Sequence, residues 1–219
     1  MARTMPAEPD PPRRRSLALP VAVFAALLLL FARVLSTGRS TYSFLLWNLA
    51  LALAPLPVGT LAVSALRQGS RRGRALGAAL SIPWLALFPN APYLVTDFVH
   101  LHRRGEWSLL DVAMMTAFAI AGWLAGVRSL VQWAALVDAR RSFGRRPFIL
   151  VAIVSLLSGY GVYVGRVHRL NSWDLALEPG KVFDTLARIS SAEFGAATAC
   201  AGLVASALVA TTSLALRRS

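Results

Sequence analysis

The chain has 219 residues, of which 56% are hydrophobic and only 15% are charged, and its formal net charge is +13. Soluble domains carry about 25% charged residues, and one domain of this length cannot bury so much apolar surface away from water. The composition therefore predicts a membrane protein. The excess of arginine does not indicate nucleic-acid binding, because it falls in short clusters between apolar stretches, as in the loops of membrane proteins. No nucleic-acid-binding motif accompanies it.

The N-terminal 16 residues include a proline-rich run and predict a disordered cytoplasmic tail. Six apolar stretches follow, each long enough to cross about 30 Å of hydrocarbon as a helix. No small-residue cleavage site follows the first stretch, so we expect it to be an uncleaved anchor. The sequence predicts an all-α, polytopic bundle of six transmembrane helices, with spans at about 17–35, 44–66, 75–95, 109–136, 148–166 and 194–216.

Positive charge is distributed unevenly between the two sides of these spans. The side with both termini has fourteen Arg residues, whereas the other side has seven basic residues. Because basic residues are retained in the cytoplasm, we expect both termini to be cytoplasmic. Seven of the ten acidic residues fall on the opposite, extracytoplasmic side. Acidic residues contribute little to topology, so this skew points to a function of that face.

Polar residues gather where the second, third and fifth spans reach the extracytoplasmic face. They occupy residues 47–48, 87–101 and 165–174. Polar side chains that face lipid are costly, so those in or beside a span usually face the interior of the bundle and often mark function. Because the three groups lie at similar depth, we expect them to meet, with Asp97 close to Arg166 or to the turn that follows it.

Pro89 and Pro92 bracket Asn90 in the third span. Proline lacks a backbone donor and disfavours helix in the preceding residue, so the span is predicted to be kinked or broken there. Unwound backbone in a membrane needs partners from protein or a watery cavity. Asn90 is predicted either to supply such a partner or to line a binding site, as broken helices do in transporters.

Asp97 and His100 are three residues apart and share one face of a continuing helix. Such a pair can bind a metal ion or act as base and acid. The alternative is a solvated helix end with one ordinary hydrogen bond. A metal site needs more ligands, and these would have to come from Asp111, His168 or Asp174.

The segment after the fifth span also has two interpretations. Asn171 and Asp174 have the spacing of a variant capping box, and Trp173 suits an interfacial aromatic belt. Arg166, at the end of the apolar span, is predicted to pair with one of the outer carboxylates. Further along, apolar residues recur at helical spacing over 182–189, which predicts an amphipathic helix at the interface.

The segments LFPNAPYLVTDFVHL (87–101) and GRVHRLNSWD (165–174), with the pair at 47–48 and the run at 122–130, resemble a membrane-protein family called domain of unknown function 1361. The resemblance covers residues 44–177. It implies a bacterial, multi-span architecture without an established activity, and the chain departs from the family pattern at His168 and Leu170. The resemblance highlights Asn90, Tyr93, Asp97, His100, Arg166, Asn171, Trp173 and Asp174.

The sequence names no reaction, cofactor or substrate, and it leaves open whether the protein is an enzyme. The convergence of Asp, His, Asn and Arg suits a ligand-binding site at the extracytoplasmic face. The expected ligand is a small or lipid-linked anion, with a metal ion bound at Asp97 and His100 as a further hypothesis. Two alternatives are a non-catalytic scaffold or assembly protein and a transporter component. The apolar midplane and the absence of a repeat argue against transport.

Overall fold

The computed structural model describes residues 17–102, 108–140, 146–172 and 174–217. The predicted N-terminal tail, residues 1–16, lies outside this part of the chain. All regular structure among the described residues is helical, with one 3₁₀ segment, Leu94–Phe98. The helices are α1 (Ala18–Thr37), α2 (Phe44–Leu53), α3 (Pro55–Arg67), α4 (Arg71–Leu87), α5 (Asn90–Tyr93), α6 (Val99–His102), α7 (Leu109–Arg140), α8 (Arg146–Val167), α9 (Asp174–Leu177), α10 (Pro179–Ala187) and α11 (Ser191–Arg217).

Six helical segments of the described chain are long and apolar enough to cross a membrane. The predicted all-α architecture with six spans is therefore confirmed. The third span extends further toward its C-terminal end than expected, and the sixth begins slightly earlier. We number the spans one to six: Ala18–Thr37, Phe44–Arg67, Arg71–Leu101, Leu109–Asp138, Pro147–Val167 and Ser191–Leu216.

Span four, formed by α7, is the centre of the bundle. It packs against α1, α2, α3, α5, α8 and α11. In its most apolar window 56% of the residues are buried, against 22% in spans one and six. The peripheral spans therefore leave most of their apolar surface for lipid, as expected where hydrocarbon is the solvent.

Spans two and three both contain a proline-induced irregularity. Span two passes from α2 to α3 at Ala54, directly before Pro55, and its backbone stays helical there. Span three ends its regular helix at Leu87, and the chain continues through α5, the 3₁₀ segment and α6. The break predicted at Pro89 is confirmed, because the missing proline donor interrupts the backbone ladder at this point.

Small residues on the neighbouring helices hold the broken part of span three. A Cβ atom at Gly122 of α7 would lie 2.6 Å from the backbone oxygen of Ala91. On α8, a Cβ atom at Gly161 would lie 2.6 Å from Cγ of Pro89. Only glycine permits such close approach of a helix to irregular backbone. The start of the broken part, residues 89–93, is thereby fixed between spans four and five.

The loop between spans five and six contains α9 and α10. Helix α10 overlaps the predicted amphipathic segment 182–189 and has no buried residue. Its Phe183 side chain is 69% exposed. Such a helix is stable in the interface of a membrane, where its apolar face contacts acyl chains.

Candidate functional site

A polar cavity of about 670 Å³ opens at the end of the bundle where span two begins and spans three and five end. We call this end the site face. Three elements form the cavity walls: the start of α2, the broken part of span three, and the end of α8 with the turn that follows. The residues that carry its polar groups are Asn48, Asn90, Tyr93, Asp97, His100, Arg166, Arg169, Asn171 and Ser172.

Asp97 joins the three elements. Its side chain is only 1% exposed. Its Oδ2 accepts a hydrogen bond from Nδ2 of Asn48 at 2.9 Å, and its Oδ1 accepts one from Nη2 of Arg166 at 2.7 Å. A buried carboxylate requires such donors and a countercharge. The expected contact between the third-span and fifth-span segments is present.

Several side chains contact the guanidinium group of Arg166. Its Nε donates to Oγ1 of Thr96 at 3.0 Å, and Nη2 donates to both Thr96 and Asp97. The guanidinium carbon lies 4.3 Å from the centroid of the Tyr93 ring, a cation–π geometry. The remaining nitrogen, Nη1, lies 3.5 Å from Nε2 of His100. The arrangement fixes the guanidinium plane and leaves Nη1 on the side of His100.

Asn90 hydrogen-bonds to the backbone at the break in span three, which is one of the two roles predicted for it from the sequence. Its Nδ2 donates to the backbone oxygen of Leu87 at 2.8 Å, which satisfies a carbonyl released at the helix break. The same nitrogen donates to Oγ of Ser172 at 2.9 Å. Asn90 therefore ties the turn after span five to the break in span three while it lines the cavity.

Among the residues that the structure describes, no further His, Cys, Asp or Glu completes a metal site at the Asp97–His100 pair. Nε2 of His100 lies 3.9 Å from Oδ1 of Asp97, and the imidazole ring packs against Phe44, with a centroid distance of 4.8 Å. Among the described residues, no group of three or more His, Cys, Asp or Glu side chains could hold a metal ion. The three other candidate ligands have different partners.

Each of those candidates lies beside another charged or polar group. Asp111 forms a buried ion pair with Arg33 of α1, with 2.9 Å between Oδ1 and Nε. His168 lies 3.9 Å from a carboxylate oxygen of Glu193. Asp174 is buried and accepts a 2.8 Å hydrogen bond from the backbone nitrogen of residue 171. The Arg33–Asp111 pair joins spans one and four and was not anticipated from the sequence.

The structure separates the members of the predicted 171–174 group. Asn171 lines the cavity. Asp174 does not line it, because its carboxylate turns back to the start of its own turn, as in a capping box. Lys181 of α10 lies 3.8 Å from the same carboxylate. Trp173 lies outside the described residues.

Arg169 and Ser172 line the cavity, and Thr96 holds Arg166 beside it, although sequence reasoning did not select these three residues. All three lie within the segments that carry the family resemblance, so position in those segments was the available signal. Arg169 has φ of 56°, an uncommon conformation for a residue other than glycine. Its side chain is exposed and lines the cavity.

The fold and its apolar surface define a multi-pass integral membrane protein. The chain belongs to the family described as Protein of unknown function (DUF1361), whose family model matches residues 47–208. This match extends beyond the resemblance at 44–177, into the sixth span, and it includes every residue of the cavity lining. No curated protein and no solved structure matches the chain.

Proposed function

We propose that the cavity binds an anionic ligand, either a small molecule or the headgroup of a lipid-linked one, at the extracytoplasmic face of the membrane. The charges of its lining carry the proposal. Among the described residues of the lining, two guanidinium groups, Arg166 and Arg169, face the cavity with a single carboxylate, that of Asp97. This carboxylate already accepts bonds from Asn48 and Arg166. The lining therefore has a surplus of positive charge.

Arg166 has the geometry of a prepared anion-binding group. Its contacts with Thr96, Asp97 and Tyr93 orient the guanidinium before any ligand arrives. Planar guanidinium groups match the oxygens of carboxylates and phosphates, and their bonds to anions are charge-assisted. Arg169 supplies a second cation that is paired with no carboxylate among the described residues. Together they favour an anion with several oxygens.

The size and position of the cavity agree with ligand binding. Its volume of about 670 Å³ falls within the range of roughly 300–1,000 Å³ that is typical of small-molecule sites. The proposed orientation rests on the twofold excess of basic residues at the opposite face. On that basis the site faces the extracytoplasmic side, with both termini in the cytoplasm.

A scaffold role is the second candidate, because the polar contacts also lock helix ends together. The Asp97–Arg166 and Asn90–Ser172 bonds join spans three and five. Locking two helix ends does not require a cavity of this volume or a second arginine beside it. Ligand binding accounts for both features and is therefore preferred.

The test is the binding of simple anions to the purified protein. The protein is placed in nanodiscs of zwitterionic lipid and titrated, at constant ionic strength, with inorganic phosphate and with pyrophosphate while thermal unfolding is followed. Both anions should raise Tm, since a ligand that binds only the folded state stabilises it. Arg169→Gln should weaken the affinity about tenfold or more, because a hydrogen bond to a charged group contributes about 1.5–3 kcal/mol.

Arg188→Gln is the matched control. It makes the same change of charge at an exposed residue, located directly after α10 and outside the cavity lining. Affinity in this variant should equal that of the wild type. The proposal fails if neither anion stabilises the wild-type protein, or if the two variants lose affinity equally.

A further inference from the structure

A second, smaller cavity of about 260 Å³ adjoins the polar one. Most of the residues that line only this smaller cavity are apolar. They are Ala86 of α4, Val164 of α8, Leu175 of α9, and Val182 and Leu186 of α10. Because Val182 and Leu186 are one helical turn apart, they lie on the same side of α10. We call this cavity the apolar groove.

The apolar groove adjoins the polar cavity. Six residues line both of them: Pro89, Gly161, Gly165, Leu170, Asn171 and Ser172. Two of the six are glycines of α8, which present no side chain to either space. Polar and apolar compartments thus meet along the break in span three and the end of span five.

The groove lies between spans three and five and helix α10. Ala86 and Val164 belong to spans three and five, whereas α10 forms the outer wall. The large apolar side chains near this wall are exposed: Leu175 is 51% exposed, Phe183 69% and Leu186 46%. In water such a surface would be costly, but at an interface it contacts acyl chains. The groove is therefore next to lipid as well as next to the polar cavity.

We infer that the ligand is an amphiphile, whose anionic headgroup binds in the polar cavity and whose hydrocarbon chain occupies the apolar groove. The ligand reaches the site laterally from the lipid leaflet beside α10. This inference rests on the proposed function and selects the lipid-linked ligand over the small soluble one. A soluble anion needs only the polar cavity, and the adjoining groove adds affinity only for a ligand with an apolar part.

The test is the dependence of affinity on chain length. Methyl, butyl and hexyl phosphate are titrated against the protein in zwitterionic nanodiscs, and empty nanodiscs correct for partition of the esters into lipid. Each buried methylene should raise affinity about fourfold. Butyl phosphate should therefore bind about 60-fold more tightly than methyl phosphate, until the groove is full.

Two variants of α10 form a matched pair. Leu186→Gln places an amide in the groove wall and should reduce the gain from chain length roughly tenfold. Phe183→Gln makes a similar change on the same helix at a residue that does not line the groove, and it should leave the gain intact. Ala86→Leu, which fills the groove from span three, should abolish the gain and does not depend on α10. Phe183→Gln should also leave the binding of methyl phosphate unchanged.

The outcomes separate the two proposals. If phosphate and methyl phosphate bind but longer chains add nothing, the amphiphile inference is wrong and the anion site stands. The same holds if Leu186→Gln and Phe183→Gln reduce the gain equally. If neither phosphate nor any ester binds the wild type, the proposed function fails and the inference fails with it.

Discussion

The ion pair between Asp97 and Arg166 should be a major contributor to the stability of the site face. The Asp97 side chain is 1% exposed and that of Arg166 24%. Asp97→Asn keeps the shape of the side chain but leaves the guanidinium without its countercharge. Removing one partner of a buried pair lowers the free energy of unfolding by about 3–5 kcal/mol. Because Arg166 is partly exposed, we expect a loss of about 3 kcal/mol. For a chain of this size, that corresponds to a Tm lower by about 6–12 °C.

A double-mutant cycle isolates the pair from other effects. Arg166→Gln should also destabilise the protein, because it leaves a buried carboxylate with Asn48 as its remaining donor among the contacts described above. The double variant Asp97→Asn/Arg166→Gln should lose less stability than the sum of the single variants, with a coupling energy of about 2 kcal/mol. Thermal unfolding in nanodiscs, followed by circular dichroism, measures all four proteins.

The same cycle can refute this account of the site. If the two single losses add in the double variant to within about 0.5 kcal/mol, the side chains do not interact in the way the contact implies. A loss below about 1 kcal/mol for Asp97→Asn would equally contradict it, since an exposed pair contributes that little. Arg188→Gln, which removes an exposed charge, should leave Tm unchanged.

Three further predictions concern packing and topology. Gly122→Ala should lower the free energy of unfolding by about 1–3 kcal/mol, because the added Cβ would press on the broken span. Gly202→Ala, whose added Cβ would have no atom within 4 Å, should not destabilise the protein. Equal melting curves for the two variants would contradict this prediction. Arg33→Met should cost about 3–5 kcal/mol by leaving a buried carboxylate of span four unpaired, and a variant that melts like the wild type would disprove it. In a background without the native cysteine, an impermeant maleimide added to intact cells should label Gly180→Cys but not Arg71→Cys. The reverse pattern would overturn the orientation.

The site could be predicted in part because its polar residues stand out against apolar spans. Asn90, Asp97 and Arg166 are costly in lipid, so each had to find a partner inside the bundle. Asp174 shows the limit of that reasoning, because an acidic residue that caps its own turn has the same sequence signature as one that binds a ligand. Arg169 shows the opposite limit. It lines the cavity from a loop where its own backbone is left-handed, and the sequence pattern reveals neither feature.

The sequence by itself determined the number of spans, their approximate depth and the break in span three. These properties are local, because hydropathy sets depth along each helix and proline removes a donor wherever it occurs. Only the tertiary structure decided which polar residues meet. Arg33 and Asp111 are 78 residues apart and Asn90 and Ser172 are 82 apart, and the rotation of each helix selects these partners. That rotation depends on packing between distant small residues, such as Gly122 against Ala91, and hydropathy contains no information about it.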